Sequence, residues 1–165
     1  MALKSGQQVK SKNKAVFCYD FIKDFVRIGK WNTDMSKAMN ADTTDESNVW
    51  GESNFSVDSL KPSMDVNPYK VYEGDSLAEY IEAGTRQAKT GDYWEGYVVE
   101  VTVDDEGTIV DAYKYPCVLE PTASGWDSGN YWHEFTLHYL GGGESVTGTI
   151  SKSSDGRNQI FTITE

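Results

Sequence analysis

Two histidines, two cysteines and a surplus of carboxylates are the first side chains in this 165-residue sequence to weigh for catalysis or metal binding. His133 and His138 lie an odd number of residues apart in a strand-like stretch, so they project to opposite faces and are poorly placed to share a metal. Cys18 and Cys117 stand about a hundred residues apart with no CxxC and no second pair. They read as buried free thiols of a reducing compartment, with a single disulfide as the alternative. Asp104, Asp105 and Glu106 are consecutive, too bunched for the alternating ligands of a calcium loop, and fit the tip of a hairpin. The run Gly141 to Gly143 lacks the Lys and Ser or Thr that complete a phosphate loop, and reads as a turn between strands. No nucleophile–base pair can be assembled from spacing alone. The expectation is a chain that is not an enzyme and that uses no cofactor and no metal.

The elements that must carry these residues are mostly strands. From Tyr93 to Leu119, Val99, Val101 and Val103 alternate with Glu100, Thr102 and Asp104, the period of a strand with one wet face. Asp105 to Gly107 supply a turn, and Ile109 to Tyr115 run back rich in β-formers. Tyr131, His133, Phe135, Leu137 and Tyr139 alternate with Trp132, Glu134, Thr136 and His138 in another two-faced strand. Val146 to Ser151 and Gln159 to Thr164 read as closing strands, and Ala15 to Ile28 as a first, bent one. Phe55 and Val57 suggest a strand followed by a segment punctuated by Pro62 and Pro68. One amphipathic helix is expected between Ser76 and Gly91, opened by a Ser76/Glu79 capping box and showing Leu77, Tyr80, Ile81 and Ala88 on one face. Gly29 to Glu52 is polar and aperiodic and reads as a long loop. It nevertheless holds Trp31, Met35, Met39 and Trp50, which must bury either on their own domain or in another subunit; Met35 and Met39, four apart, would suit a short helical turn.

Composition narrows the class further. The net charge is −11, which disfavours a surface built to hold nucleic acid or anionic lipid. Residues 1–14 carry Lys4, Lys10, Lys12 and Lys14 and no acid. The remainder therefore has 15 − 4 = 11 basic residues against 26 acidic ones. The organisation expected is a flexible basic arm, 1–14, ahead of a single β domain, 15–165, with the arm either solvated or docked on an acidic neighbouring subunit. No apolar run approaches the roughly 20 residues of a membrane span, and no secretory segment is visible at the start.

Taken in order, these features resemble the major tail tube proteins of long-tailed bacteriophages. The matching stretches are TRQAKTGDYWEGYVVEVTV, VTVDDEGTIVDAYKYPCVL and YWHEFTLHYLGGGESVTGTIS, within roughly Ala15 to Ser151. The resemblance implies a mainly β fold, a two-sheet sandwich or barrel-like tail tube fold with one flanking α-helix and a long inter-strand loop. It also implies six copies closing into a ring, and rings stacking into a tube whose lumen conducts double-stranded DNA without binding it specifically. The loop with Trp31, Met35, Met39 and Trp50 would then reach the adjacent ring. Glu100, Thr102, Glu134, Thr136, Thr147 and Thr149, on the polar sides of their strands, become candidates for the channel lining. Partners implied are other copies of the chain and tape-measure, tail-tip and tail-terminator proteins, with no membrane; the place implied is the virion tail, assembled in the host bacterial cytoplasm. The competing reading is a monomeric, aromatic-rich β-sandwich that binds a glycan or protein, stacking sugar rings on Trp94, Trp126 and Trp132.

Overall fold

A computed structural model describes residues 14–19, 25–29, 32, 35–71, 74–104, 106–152, 156 and 158–164. Its strands are β1 (Lys14–Tyr19), β2 (Phe25–Ile28), β3 (Lys37–Ala38), β4 (Asp42–Ser47), β5 (Ser53–Ser59), β6 (Ser63–Lys70), β7 (Glu95–Val103), β8 (Ile109–Asp127), β9 (Asn130–Tyr139), β10 (Glu144–Ser145), β11 (Gly148–Lys152) and β12 (Gln159–Ile163). Helix α1 spans Ser76–Arg86, and a 3-10 turn spans Gly91–Trp94. The protein is mainly β with one helix. Strands β4 and β5 stand apart; the other ten form one antiparallel sheet, in the order β11-β12-β2-β1-β7-β8-β9-β6-β3, with β10 on β8. The sheet is curled as a half-barrel. The expectation of a mainly β, barrel-like fold with one helix therefore holds.

The β7–β8 hairpin forms where the alternation places it, with Val103 opposite Ile109. Asp104 shapes the turn: its carboxylate accepts from the backbone N–H groups of Glu106 (3.0 Å) and Thr108 (2.8 Å), while Gly107 takes φ 83°. Strand β8 then changes neighbour. Its first half pairs with β7, and from Cys117 onward it also pairs with β9, out to Asp127 opposite Asn130. The chain leaving β9 stays beside β8: Leu140 N–H donates to Pro116 (2.9 Å), Glu144 pairs with Lys114, and Val146 N–H donates to Ala112 (2.9 Å). Gly141 to Gly143 are looped out of this path, which then enters β11, the partner of β12. The glycine run is thus where one strand path kinks to bring the sheet edge round.

Curling gives the sheet two cores. Phe25, Val99, Val101, Ala112 and Phe161 fill one, with Ile150 and Ile163 packed against them. Val66, Leu77, Ile81, Val98, Phe135 and Leu137 belong to the other, which α1 covers. Strand β7 lies between the two, so Val98, Val99, Glu100 and Val101 are all buried. The wet face expected for this strand does not exist, because alternation reports two faces and not whether both are covered.

Three further readings are corrected locally. The first strand is two strands, β1 and β2, paired antiparallel with Tyr19 opposite Phe25. The proline-punctuated segment is β6, whose register shifts between Val66 and Tyr69, so Pro68, which has no N–H to donate, sits where the ladder is interrupted. The helix is capped by Asp75 rather than by a Ser76/Glu79 box: the Asp75 carboxylate accepts from Leu77 N–H (3.0 Å) and Ala78 N–H (3.2 Å). It ends at Arg86, short of Gly91, where an aromatic stack takes over. Tyr93 stacks on Tyr80 at 4.4 Å and donates to the Tyr80 carbonyl, and Trp94 donates to the Lys89 carbonyl. Gly84 faces these rings; a Cβ there would lie 2.4 Å from Tyr93 and 2.6 Å from Trp94.

Candidate assembly site

The stretch expected to be a polar loop contains strand β4, which forms a β-hairpin with β5, the strand expected at Phe55 and Val57. Strands β4 and β5 pair with each other alone, Thr43 opposite Val57 and Asp45 opposite Phe55. Asn48 organises the tip: its side-chain oxygen accepts from Trp50 N–H (3.0 Å) and Glu52 N–H (3.1 Å), and Gly51 takes φ 79°. On one face, Asp58 accepts hydrogen bonds from Thr44 and Ser56, in that order of effect, which hold its carboxyl below the ordinary carboxylate range. The other face sets Phe55 and Val57 beside Asp45 and Thr43, and both it and the tip are open to solvent. Val49 is 100 % exposed, Trp50 85 %, Phe55 66 % and Val57 56 %. Asp42, Asp45, Glu46, Glu52 and Asp58 make the hairpin acidic, and no Lys or Arg lies between residues 42 and 59.

The four apolar residues singled out in this region behave differently. Met39, at the neck, and Trp50, at the tip, are exposed. Met35 is half-buried and packs against the helix-covered core of its own chain, so it is not an arm residue. Trp31 lies outside the described residues. Lys37 and Ala38 between the two methionines are strand, not the helical turn expected there.

The root of the hairpin is held by few but unusual contacts. Strand β3 contributes two ladder pairs, Lys37 with Met64 and Ala38 with Ser63. Asn40, at φ 47°, donates to the Lys61 carbonyl (3.0 Å) and to Ser63 Oγ (3.1 Å). Lys37 Nζ passes over the rings of Tyr139 (4.2 Å) and Tyr115 (4.4 Å) to reach Glu100 Oε1 at 3.1 Å. Tyr139 donates to the same carboxylate (2.9 Å). Burial first, and then the Glu100 charge, push both tyrosine hydroxyls above their ordinary value, which keeps them protonated as donors.

Glu100 is accordingly a correction: at 4 % exposure inside its own chain it has no surface to present to a channel. The other proposed lining residues stay at or near the surface: Thr102 on β7, Glu134 and Thr136 on β9, Thr147 between β10 and β11, and Thr149 on β11. The register adds acids that linear reading missed. Thr136 lies between Asp65 of β6 and Glu120 of β8, donates to Asp65 (2.6 Å), and is followed by His138, whose Nε2 is 2.5 Å from Glu120. Asp65, Glu120 and Glu134 thus form an acidic band across three strands, visible only once strand neighbours are known.

The aromatic platform of the alternative reading does not form. Trp94 is 8 % exposed, Trp132 is half-buried across Gly125, and of the three only Trp126 is largely exposed, at 79 %, with its ring beside Tyr131. The histidines serve structure. His133 is fully buried against Ser124 Oγ (2.7 Å), and burial lowers its basicity, opposed by Glu82. Cys117 is a buried free thiol whose pKa burial pushes up to about 12; the Cys18 side chain lies outside what is described.

No family model matches the chain, and no curated protein does. Solved structures do. One chain of a contractile injection system, from the PVC sheath–tube complex in its extended state, matches with a TM-score of 0.54 at 14 % identity, over 86 % of this chain and 95 % of that one. One chain of the anti-feeding prophage (AFP) baseplate matches with a TM-score of 0.50 at 15 % identity, over 87 % and 97 %. These likenesses establish a shared fold across nearly the whole of each chain.

Proposed function

We propose that this protein is a structural, non-enzymatic subunit of a phage-tail-like tube, assembling with copies of itself into stacked hexameric rings. The observation that carries the proposal is the match to a chain of a sheath–tube complex over nearly its full length. The six-fold symmetry named for the second neighbour supports the ring number. Those neighbours come from contractile machines whereas the sequence resembles proteins of long-tailed phages, so the role proposed is that of the tube itself, in either kind of tail. Tape-measure, tail-tip and terminator proteins are the further partners of such a tube, the virion tail its place and the host cytoplasm its site of assembly.

The exposed arm of β4 and β5 supplies what stacking needs. Its apolar side chains would each gain about 1.5–3 kcal/mol on burial, and nothing among the described residues covers them. A head-to-tail contact of this kind propagates into a stack. For the lumen, the band of Asp65, Glu120 and Glu134 with Thr136 replaces Glu100 as the proposed wall; Thr102, Thr147 and Thr149 lie on the other face of the sheet, the side of Glu100 and Val26, and drop out of that wall. DNA carries one negative charge per about 1.7 Å of axis, so a wall in which these carboxylates outnumber the one lysine beside them, Lys70 opposite Trp132, gives phosphates little to hold.

Electron microscopy of the purified protein across a concentration series tests the assembly, with rings or tubes expected. A monomer by light scattering at every concentration, with tail-tip proteins added, would overturn it. The wall is tested separately by Glu134→Lys, which should leave tubes of normal length but slow DNA passage, most at low salt where screening is weakest. Unchanged ejection kinetics would remove Glu134 from the wall.

A further inference from the structure

The arm enters the sheet through a strand of two residues, and that poses a mechanical problem. Its outgoing side is secure, because β6 pairs with β9 along its length. Its incoming side, among the described residues, is held by the two β3 pairs, the bond from Lys61 N–H to the Met39 carbonyl (3.2 Å) and the Asn40 clasp. Ladders this short open readily unless side chains hold them. The one charged side chain of β3 does so. Lys37 is 16 % exposed and its ammonium is enclosed by the Glu100 carboxylate and the faces of Tyr115 and Tyr139.

Burying a carboxylate in mid-strand is costly, and a well-packed apolar residue would serve the core as well or better. The ion pair does something an apolar residue cannot: it demands one partner in one place. Glu100 belongs to β7, the strand between the two cores, and Tyr139 and Tyr115 to β9 and β8. The contact therefore ties the base of the arm to three strands of the sheet through one ammonium group.

We propose that the Lys37–Glu100 ion pair, caged by Tyr115 and Tyr139, is the pin that sets the direction of the β4–β5 arm, making Lys37 and Glu100 positioning residues for assembly. Removing either charge leaves the sheet folded but frees the arm to swing about β6. The pin itself follows from the contacts of this chain; only its role in assembly rests on the tube reading.

Hydrogen exchange on the full-length soluble protein tests the pin without requiring tubes. Glu100→Gln keeps the shape and strands the ammonium; Lys37→Met keeps an unbranched chain between the rings and strands the carboxylate. Each single variant should speed exchange of the Ala38 amide, and protease cleavage between residues 39 and 62, by at least about tenfold, as expected when one partner of a buried pair is lost. Amides of Val99 and Phe135 should stay within about threefold of wild type. The double variant, which removes both charges, should recover much of the lost local protection, because no buried charge is left unpaired. Equal acceleration across the whole sheet would show that the pair supports the core and not the arm, and unchanged exchange at Ala38 would show that it pins nothing; either result overturns the proposal. Should Glu100→Gln fail to fold, Lys37→Met alone decides between these outcomes. A wild-type protein that never forms tubes would overturn the tube reading while leaving the exchange result intact.

Discussion

The curled sheet and the arm that leaves it follow opposite rules with the same kinds of residue. Phe135 and Leu137 on β9 alternate with Glu134 and Thr136 and are buried to within 1 % by α1 and the neighbouring strands. Phe55 and Val57 on β5 alternate with Ser56 and Asp58 in the same period and are more than half exposed. Alternation thus marks a face that has to be covered, but not by what. On the sheet the cover is in the chain; on the arm no described residue supplies it, which is why the arm and not a pocket is the place to look for a partner.

The sharpest way to break the comparison is to remove one member of it. Replacing residues 42–59 by a short Gly/Ser linker should abolish tube formation outright in electron micrographs while cooperative unfolding of the sheet survives, since shortening a loop changes closure entropy by only about 0.6 kcal/mol per twofold change in length. A linker variant that unfolds, or that still builds long tubes, would make the arm an internal packing element or a bystander.

A gentler contrast truncates the same residue type in the two places. Phe135→Ala should cost about 3–5 kcal/mol in denaturant unfolding, the loss expected for a fully buried ring. Phe55→Ala should stay within about 0.5 kcal/mol in the unassembled chain, as surface substitutions do, and should show its effect only in assembly. Similar losses for both would mean that the arm packs on its own sheet in solution.

The smallest contrast compares two capping side chains. Asp75→Ala removes the acceptor for two N–H groups of α1 and should lower stability by about 1 kcal/mol. Asn48→Ala removes the acceptor for two N–H groups at the arm tip, yet should leave the thermal midpoint of the sheet where it is. A shared shift of both midpoints would couple the tip to the core.

Much of the architecture was legible in the linear chain, because strands and an amphipathic helix announce themselves by period. The β7–β8 hairpin, the β9 strand with His133, Phe135, Leu137 and Tyr139 inward, and a helix with Leu77 and Ile81 buried all follow from nearest-neighbour patterns. Strand β5 was legible from Phe55 and Val57, but β4 and the hairpin it makes were not, because Asp, Ser and Asn are weak strand formers whose pairing is decided by a partner strand and an Asn48 turn rather than by their own propensity.

What the sequence by itself determined is which residues need burial and how they alternate; Trp50 and Met39 were visible as apolar residues in search of a cover. Tertiary structure alone decided which apolar residues the described chain covers and which, like these two, it leaves exposed. It buried both faces of β7 and so turned Glu100 from a presumed wall residue into the partner of Lys37, a contact between residues 63 positions apart that no local pattern encodes. It also set Asp65, Glu120 and Glu134 side by side on three strands. The physical reason is the same in each case: a side chain's period is fixed by its own backbone, but its neighbours across a sheet depend on register and curvature, which are set by strands far away in the chain.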